Sequence, residues 1–363
     1  MLLLAVVVSL PGNGNADPLI PFKPGSSKVD FRDVLPHFDL PENRRNEFYS
    51  EWWSFVFRLE DGCTAYIQFL ISNTGPGDGK ATVKTNVKLA DGRQFSDRTN
   101  LDEGEWSWNK ERFEIRFGPN IAYGPLDGLR VKLQNPSFQA DFEISNIAAP
   151  WKPGTARAQY GTSDNRYYRF HYIVPVGRVE GTIRIPGEEA THKVKGLVHV
   201  DHSVASVGLH VQARRMARFR ALDEKVTFLA TDMITPEQYG SAPIRFAVLF
   251  VDGKPVLETV DFKIQEGETY TDTRKSGYSF PRLLEISGST SDGSFRGAIK
   301  ATKSTGREDY LESAGRAARF VIARFAKPMM YYFDGVFALR VQTGGESREF
   351  KGKGSYYFTI VNP

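Results

Sequence analysis

The chain carries a single cysteine, Cys63, among its 363 residues. It cannot close an intramolecular disulfide, so its stability must come from a packed core. Cys63 lies beside a turn signal with no basic cluster around it and reads as an inert small residue. The sequence has no Gly-rich phosphate loop, no paired-cysteine set and no helical His-Glu-x-x-His. It also has no Gly-x-Ser-x-Gly nucleophile elbow. Nucleotide, zinc and α/β-hydrolase machinery of those kinds is thereby excluded, and no cofactor or metal is expected. A strong charge of one sign is missing too. Lys plus Arg total 47 and Asp plus Glu 43, for a formal net charge of +4. That balance calls for no nucleic acid but would tolerate an anionic membrane surface, so peripheral membrane contact stays open. Beyond the opening residues no apolar stretch reaches transmembrane length.

The N-terminus lacks a basic residue before Lys23, yet it opens with an apolar run from Met1 to Leu10. Small residues follow, Gly14 and Ala16, at the spacing of a cut before Asp17. Residues 1–16 are therefore expected to be a signal peptide, and the protein to be exported to the periplasm or cell envelope. Residues 17–46 hold five prolines and no steady period, which predicts an extended lead-in.

Aromatic residues are what the chain has in plenty, with 26 Phe and 15 Tyr. They suit pleated, half-buried surfaces. The 33 Gly and 20 Pro are dispersed, often in turn pairs such as Asp61-Gly62, Asp91-Gly92 and Asp252-Gly253. Residues 52–59 and 64–71 flank the first of these pairs as a hairpin should. Further strand candidates follow to the C-terminus, broken by a predicted loop over 150–165. The second half repeats the first at a steady offset. Phe57-Arg58 lies on Phe219-Arg220 at 162, and Asp91-Gly92 on Asp252-Gly253 at 161. The pattern predicts an all-β chain of two similar antiparallel domains, 47–185 and 186–363. One segment breaks the rhythm. Leu311, Ala318, Ile322 and Phe325 fall at helical spacing before Pro328, predicting a short amphipathic helix over 308–327.

Three clusters carry candidate chemistry. In Gly196-Leu-Val-His199-Val-Asp201-His202, His199 and Asp201 share one strand face and His202 takes the other. A buried Asp201 could stay protonated and act as an acid. It could equally accept hydrogen bonds and fix a strand end. The second cluster is Glu51-Trp52-Trp53-Ser54-Phe55, readable as an aromatic cavity wall or a packing corner. The third is Arg214, Arg218 and Arg220 on one face, readable as a holder of an anionic head group or as a solvated surface.

The first two clusters resemble the AttH-like and carotenoid 1,2-hydratase (hydroxyneurosporene synthase) superfamily. Its members carry a Glu-Trp-Trp-Tyr-Phe element and, later, a Gly-x-Gly-Tyr-x-Asp-His-x-Trp-Gly element. Fungal survival-factor-like proteins and lipocalin-like pericyclases are more distant relations. Here Ser54 stands at the Tyr of the first element, and Val198 and His199 at the inner Gly and Tyr of the second. No Trp follows His202. The resemblance implies two tandem lipocalin-like barrels and an apolar ligand such as an isoprenoid, carotenoid or other lipid. It implies Asp201 as the acid that protonates a C=C bond, with His199, His202 and His171 as its partners. Candidate ligand-lining residues are Glu51, Trp52, Trp53, Phe55, Tyr66, Trp106, Trp108 and Arg218. Three functions are thus in view. The protein is a non-catalytic binder of an apolar molecule, a hydratase or isomerase, or an interaction module with filled barrels.

Overall fold

In the strand Ser50–Leu59, Trp53, Phe55, Phe57 and Leu59 are buried together in one apolar cluster. The residues between them face the other way. This two-residue period is what a sheet with two unlike faces imposes. It recurs throughout the computed structural model, which describes residues 16–73, 79–136, 138–185, 187–188, 190–290, 293–311 and 327–361.

The strands form two antiparallel sheets. In order of pairing, the main path of the first runs Gln94–Leu101, Lys80–Lys88, Thr64–Ser72, Ser50–Leu59, Thr191–Ala205, Tyr167–Arg184, Phe138–Asn146, Gly128–Asn135, Asn120–Tyr123, Glu114–Phe117 and Trp106–Trp108. The second runs Lys254–Thr259, Pro243–Val251, Val226–Ile234, Arg215–Ala221, Glu346–Ile360, Met329–Thr343, Gly293–Asp309, Ser279–Thr290 and Lys263–Thr271. Each path opens with the same four-strand meander, which then meets a long late strand. The result is an all-β, lipocalin-like fold with a nearly closed barrel and a half-barrel sheet. The repeat predicted at 162 residues is visible at one crossing. A Cβ on Gly196 would collide with the carbonyl oxygen of Arg58, and one on Gly354 with that of Arg220. Close backbone approach requires glycine at both places.

Three apolar clusters divide the side chains. Trp53, Phe55, Phe57, Phe69, Phe117 and Phe142 lie in the first, inside the first sheet. Phe219, Phe228, Phe337 and Tyr356 lie in the second, inside the second sheet. The space enclosed beside Phe219, Leu284 and Tyr356 is about 10 Å³, room for one water. The third cluster lies between the sheets, with Tyr168, Phe170 and Tyr172 on one side and Leu229, Met233 and Phe246 on the other. The two sheets therefore pack through their outer faces.

Several details differ from the sequence reading. The change of sheet comes between Ala205 and Arg215, whereas residue 186 falls in the connection between Tyr167–Arg184 and Thr191–Ala205. A strand pairs with neighbours that the local sequence does not name. The lead-in contains the short strands Leu19–Ile20 and Ser26–Lys28 and the helices Phe31–Val34 and Pro41–Arg44. Its strands pair with Arg157–Tyr160 and Trp151–Pro153, so part of the expected loop over 150–165 is sheet. Of the expected helix over 308–327, Glu308 and Asp309 end the strand Gly293–Asp309, and 312–326 lie outside the described residues. Nearly all of the expected signal peptide also lies outside them. Among the described residues no helix is long and apolar enough to cross a membrane.

Candidate functional site

Alternation along Thr191–Ala205 separates residues that are neighbours in sequence. Val198, Val200 and Val204 belong to the core inside the first sheet, and His202 stacks there on Trp53 at 4.6 Å. Asp201 points the other way, into the junction between the sheets, where it meets Arg220. Across the sheet, His171 pairs with His202, and Tyr172 with Asp201. The four residues expected to act together thus fall into two sites. His171 and His202 are inside the first sheet, while His199 and Asp201 are in the junction.

The inner site is a hydrogen-bonded network around Glu51, which is fully buried. Its Oε1 accepts from His202 Nε2 at 2.8 Å and from His37 Nδ1 at 3.0 Å. Its Oε2 accepts from the His37 backbone N–H at 2.8 Å and the Tyr49 hydroxyl at 2.5 Å. Burial pushes the Glu51 pKa up, but the hydrogen bonds from His202 and His37 outweigh it and hold the carboxyl at about 2. Arg169 donates to His37 Nε2 at 2.8 Å, so the ring proton of His37 sits on Nδ1 and points at Glu51. Arg169 and Lys152 also hold Asp33, whose helix Phe31–Val34 seals this end of the first sheet. Trp53 Nε1 donates to the Val34 carbonyl at 3.0 Å. Burial lowers the pKa of both His171 and His202. Ligand atoms of His37, Glu51 and His202 lie within 4.8 Å of one another, a spacing that two imidazoles and a carboxylate offer to a divalent cation. The His37 proton occupies that position, and a cation would leave this ring with no proton while Arg169 still faces it. As it stands the arrangement is a closed hydrogen-bond network.

The junction site is built differently. Asp201 is fully buried, and its Oδ2 accepts from Arg220 at 2.5 Å. Arg218 NH1 lies 4.0 Å from the same oxygen, and His199 Nε2 lies 3.5 Å from it. Burial raises the Asp201 pKa, yet Arg220, His199 and Arg218 together hold it below the usual carboxylate range. This corrects the expectation of a protonated acid, because a carboxylate ion-paired to a guanidinium has no proton to give. Arg218 and Arg220 are both buried, which also corrects the solvated-surface reading of that face. Their guanidinium groups lie over the Tyr357 ring, at 5.8 and 5.0 Å. Among the described residues, buried polar atoms here without a hydrogen-bond partner include Asp201 Oδ1, Tyr172 OH, Arg218 Nε, Arg220 Nε and, across from Arg218, Thr231 Oγ1, while His199 Nε2 has only its 3.5 Å approach to Asp201. Burial raises the Tyr172 pKa, so its hydroxyl keeps its proton.

The remaining candidates divide along the same line. Phe55 packs against Phe57 and Phe69 inside the first sheet. Trp106 stacks on Trp108 at 5.3 Å and donates to the Gly79 carbonyl at 2.7 Å. Those two indoles belong to the first core and take no part in the junction. Trp52 packs against the cluster between the sheets. Tyr66, with its hydroxyl 3.4 Å from Ser54 Oγ, lies close enough to Asp201 and Arg220 for their charges to act on it. Cys63 is buried, with its thiol pushed up to about 11 by burial. Sequence reasoning named Arg220 with Arg214 and Arg218 but gave it no role beside Asp201, and it missed Tyr172 and His37. Tyr172 sits in an alternating strand and so carried a signal. His37 lies in a segment without period and carried none.

Two curled antiparallel sheets, one a nearly closed barrel and one a half-barrel, packed back to back around a buried ion pair, define a lipocalin-like protein. A family model described as the Svf1 family matches residues 33–358, and the chain belongs to that family. No curated protein matches its sequence. The chain is similar in structure to a putative AttH from Nitrosomonas europaea (TM-score 0.58, 18% identity, 93% of this chain and 100% of that one). It is similar to CghA in complex with Sch210972 (TM-score 0.59, 11% identity, 87% and 89%). It is also similar to kievitone hydratase from Nectria haematococca (TM-score 0.51, 13% identity, 94% and 98%). At these identities the likeness concerns the fold, and it agrees with the resemblance carried by Glu51-Trp52-Trp53 and Asp201-His202.

Proposed function

We propose that the protein binds an apolar small molecule of the isoprenoid, carotenoid or other lipid kind, with its polar end between the two sheets. The observation that carries this reading is the pair of buried atoms, Asp201 Oδ1 and Tyr172 OH, that have no partner among the described residues. Buried polar atoms are nearly always satisfied, and a cluster that is not calls for a partner. Aromatic walls from Tyr168, Phe170 and Tyr357 suit an apolar body beside that polar end. Export to the cell envelope belongs to the same proposal and is checked by N-terminal sequencing of protein from its own host.

The test is organic extraction of protein purified from that host, followed by mass spectrometry. The wild type is expected to release one apolar compound in near-stoichiometric amount, and Tyr172→Phe to release less. A wild type that releases none, and that binds neither retinol nor oleic acid after delipidation, overturns the reading.

A catalytic reading is favoured by one specific feature, the free Oδ1 of an ionised Asp201. In a hydratase such a carboxylate would take a proton from the adding water while the protonated Tyr172 hydroxyl, its cross-strand neighbour, gives one to the other carbon and is reprotonated from Asp201. Asp201→Asn separates the readings, since it would abolish turnover of an unsaturated ligand while leaving that ligand bound.

A further inference from the structure

We infer that the polar end of this ligand is an acid, a carboxylate or a phosphate monoester, and that Arg218 receives it. The inference rests on the ligand-binding reading above and names the chemistry of that ligand.

The argument is one of unbalanced charge. Arg215, Arg220 and Arg245 on the second sheet each donate to a carboxylate, those of Glu266, Asp201 and Asp232. Among the described residues Arg218 has none within hydrogen-bond distance. Its closest carboxylate oxygen, Asp201 Oδ2, is 4.0 Å away and already taken by Arg220. What Arg218 does touch is weakly polar: the Tyr168 hydroxyl at 3.4 Å, Met216 Sδ at 3.8 Å and the Phe170 ring face at 5.0 Å. Yet the residue is only 6% exposed, and its Nε has no partner. Two buried guanidinium groups thus face one carboxylate. An uncompensated buried charge is costly, and an arriving anion removes that cost. The guanidinium fork matches the oxygens of a carboxylate or phosphate. The Tyr172 hydroxyl is an uncharged donor on the same buried face.

The experiment compares three probes with one chain and different heads: oleic acid, oleyl phosphate and oleyl alcohol. Each is titrated into the delipidated full chain and followed by calorimetry. The wild type is expected to bind at least one acid about tenfold or more tighter than the alcohol. Which acid binds tighter distinguishes a carboxylate ligand from a phosphate one. Arg218→Met should bring acid and alcohol within about twofold of each other, and Arg218→Lys should keep part of the preference. A melting curve of each variant checks that it folds. If Arg218→Met fails to fold, the wild-type preference and Arg218→Lys decide. Equal binding of all three probes by the wild type overturns the acid head and leaves ligand binding standing. So does a preference that survives in folded Arg218→Met. Binding of none of the three overturns the acid head, and the extraction and retinol tests then decide the binding reading.

Discussion

One strand, Thr191–Ala205, carries two buried polar networks on its opposite faces, and they are finished to different degrees. Inside the first sheet, Glu51 receives four hydrogen bonds, two at each oxygen. Of the buried atoms in that network, His171 Nδ1 is left without a partner. Between the sheets, Asp201 uses one oxygen on Arg220, while its other oxygen, the Tyr172 hydroxyl and Nε of both arginines have no partner among the described residues. A satisfied network locks elements together, whereas an unsatisfied one costs stability in the free protein. The contrast assigns the Glu51 network to architecture, since it ties the lead-in to the end of the first sheet. The Asp201 network is the one we propose for binding.

The largest expected effect falls on the satisfied side. Glu51→Ala strips an acceptor from His37, His202 and Tyr49 at once, and should cost about 3–5 kcal/mol by urea unfolding. A loss below about 1 kcal/mol would break the comparison. Acid should act through the same group. Folding lowers the Glu51 pKa from 4.5 to about 2. Its stabilisation, about 3 kcal/mol, is therefore complete above pH 4.5 and lost as pH falls toward 2. His171, kept neutral by burial, adds to that loss, because below its ordinary 6.5 the unfolded chain takes up a proton that the folded one refuses. Unfolding followed between pH 7 and 3 should show stability declining throughout, and less steeply in Glu51→Gln. A smaller effect separates two tyrosines. Tyr49→Phe removes a hydroxyl that Glu51 uses and should cost about 1–2 kcal/mol, whereas Tyr172→Phe removes an unpartnered one and should cost close to nothing. Equal costs would erase the distinction. The smallest change is expected at Arg218→Met, within about 1 kcal/mol or stabilising, because an apolar side chain replaces a buried charge with no close counter-ion. A loss of several kcal/mol would place Arg218 with the architectural residues.

Much of this molecule was legible in its sequence. Alternation and Asp-Gly turns located the hairpin of Ser50–Leu59 and Thr64–Ser72, and the 162-residue offset announced the second meander. Neighbouring residues on opposite faces were legible too, since His199 and Asp201 were separated from His202 by period alone. What each face meets was not. Whether Asp201 looks into a barrel or onto another sheet depends on pairings between residues far apart in sequence. The same holds for its charge. An isolated Asp among apolar residues reads as a buried acid, and Arg220 reverses that from a strand of the other sheet. His37 reaches Glu51 from a Pro-rich segment where no period could point to it.

The back-to-back placement of Asp201 and His202 also restricts how this chain can change by descent. Deleting or adding a single residue between Gly196 and Asp201 would turn every later side chain of the strand through the wall, so that Asp201 faced the aromatic interior and His202 the arginines. Both networks would fail in one event, the supporting one and the receiving one alike. Length changes in this stretch should therefore be tolerated in pairs or taken up by a bulge. Relatives of this protein are expected to differ in what the strand carries before they differ in how many residues it counts.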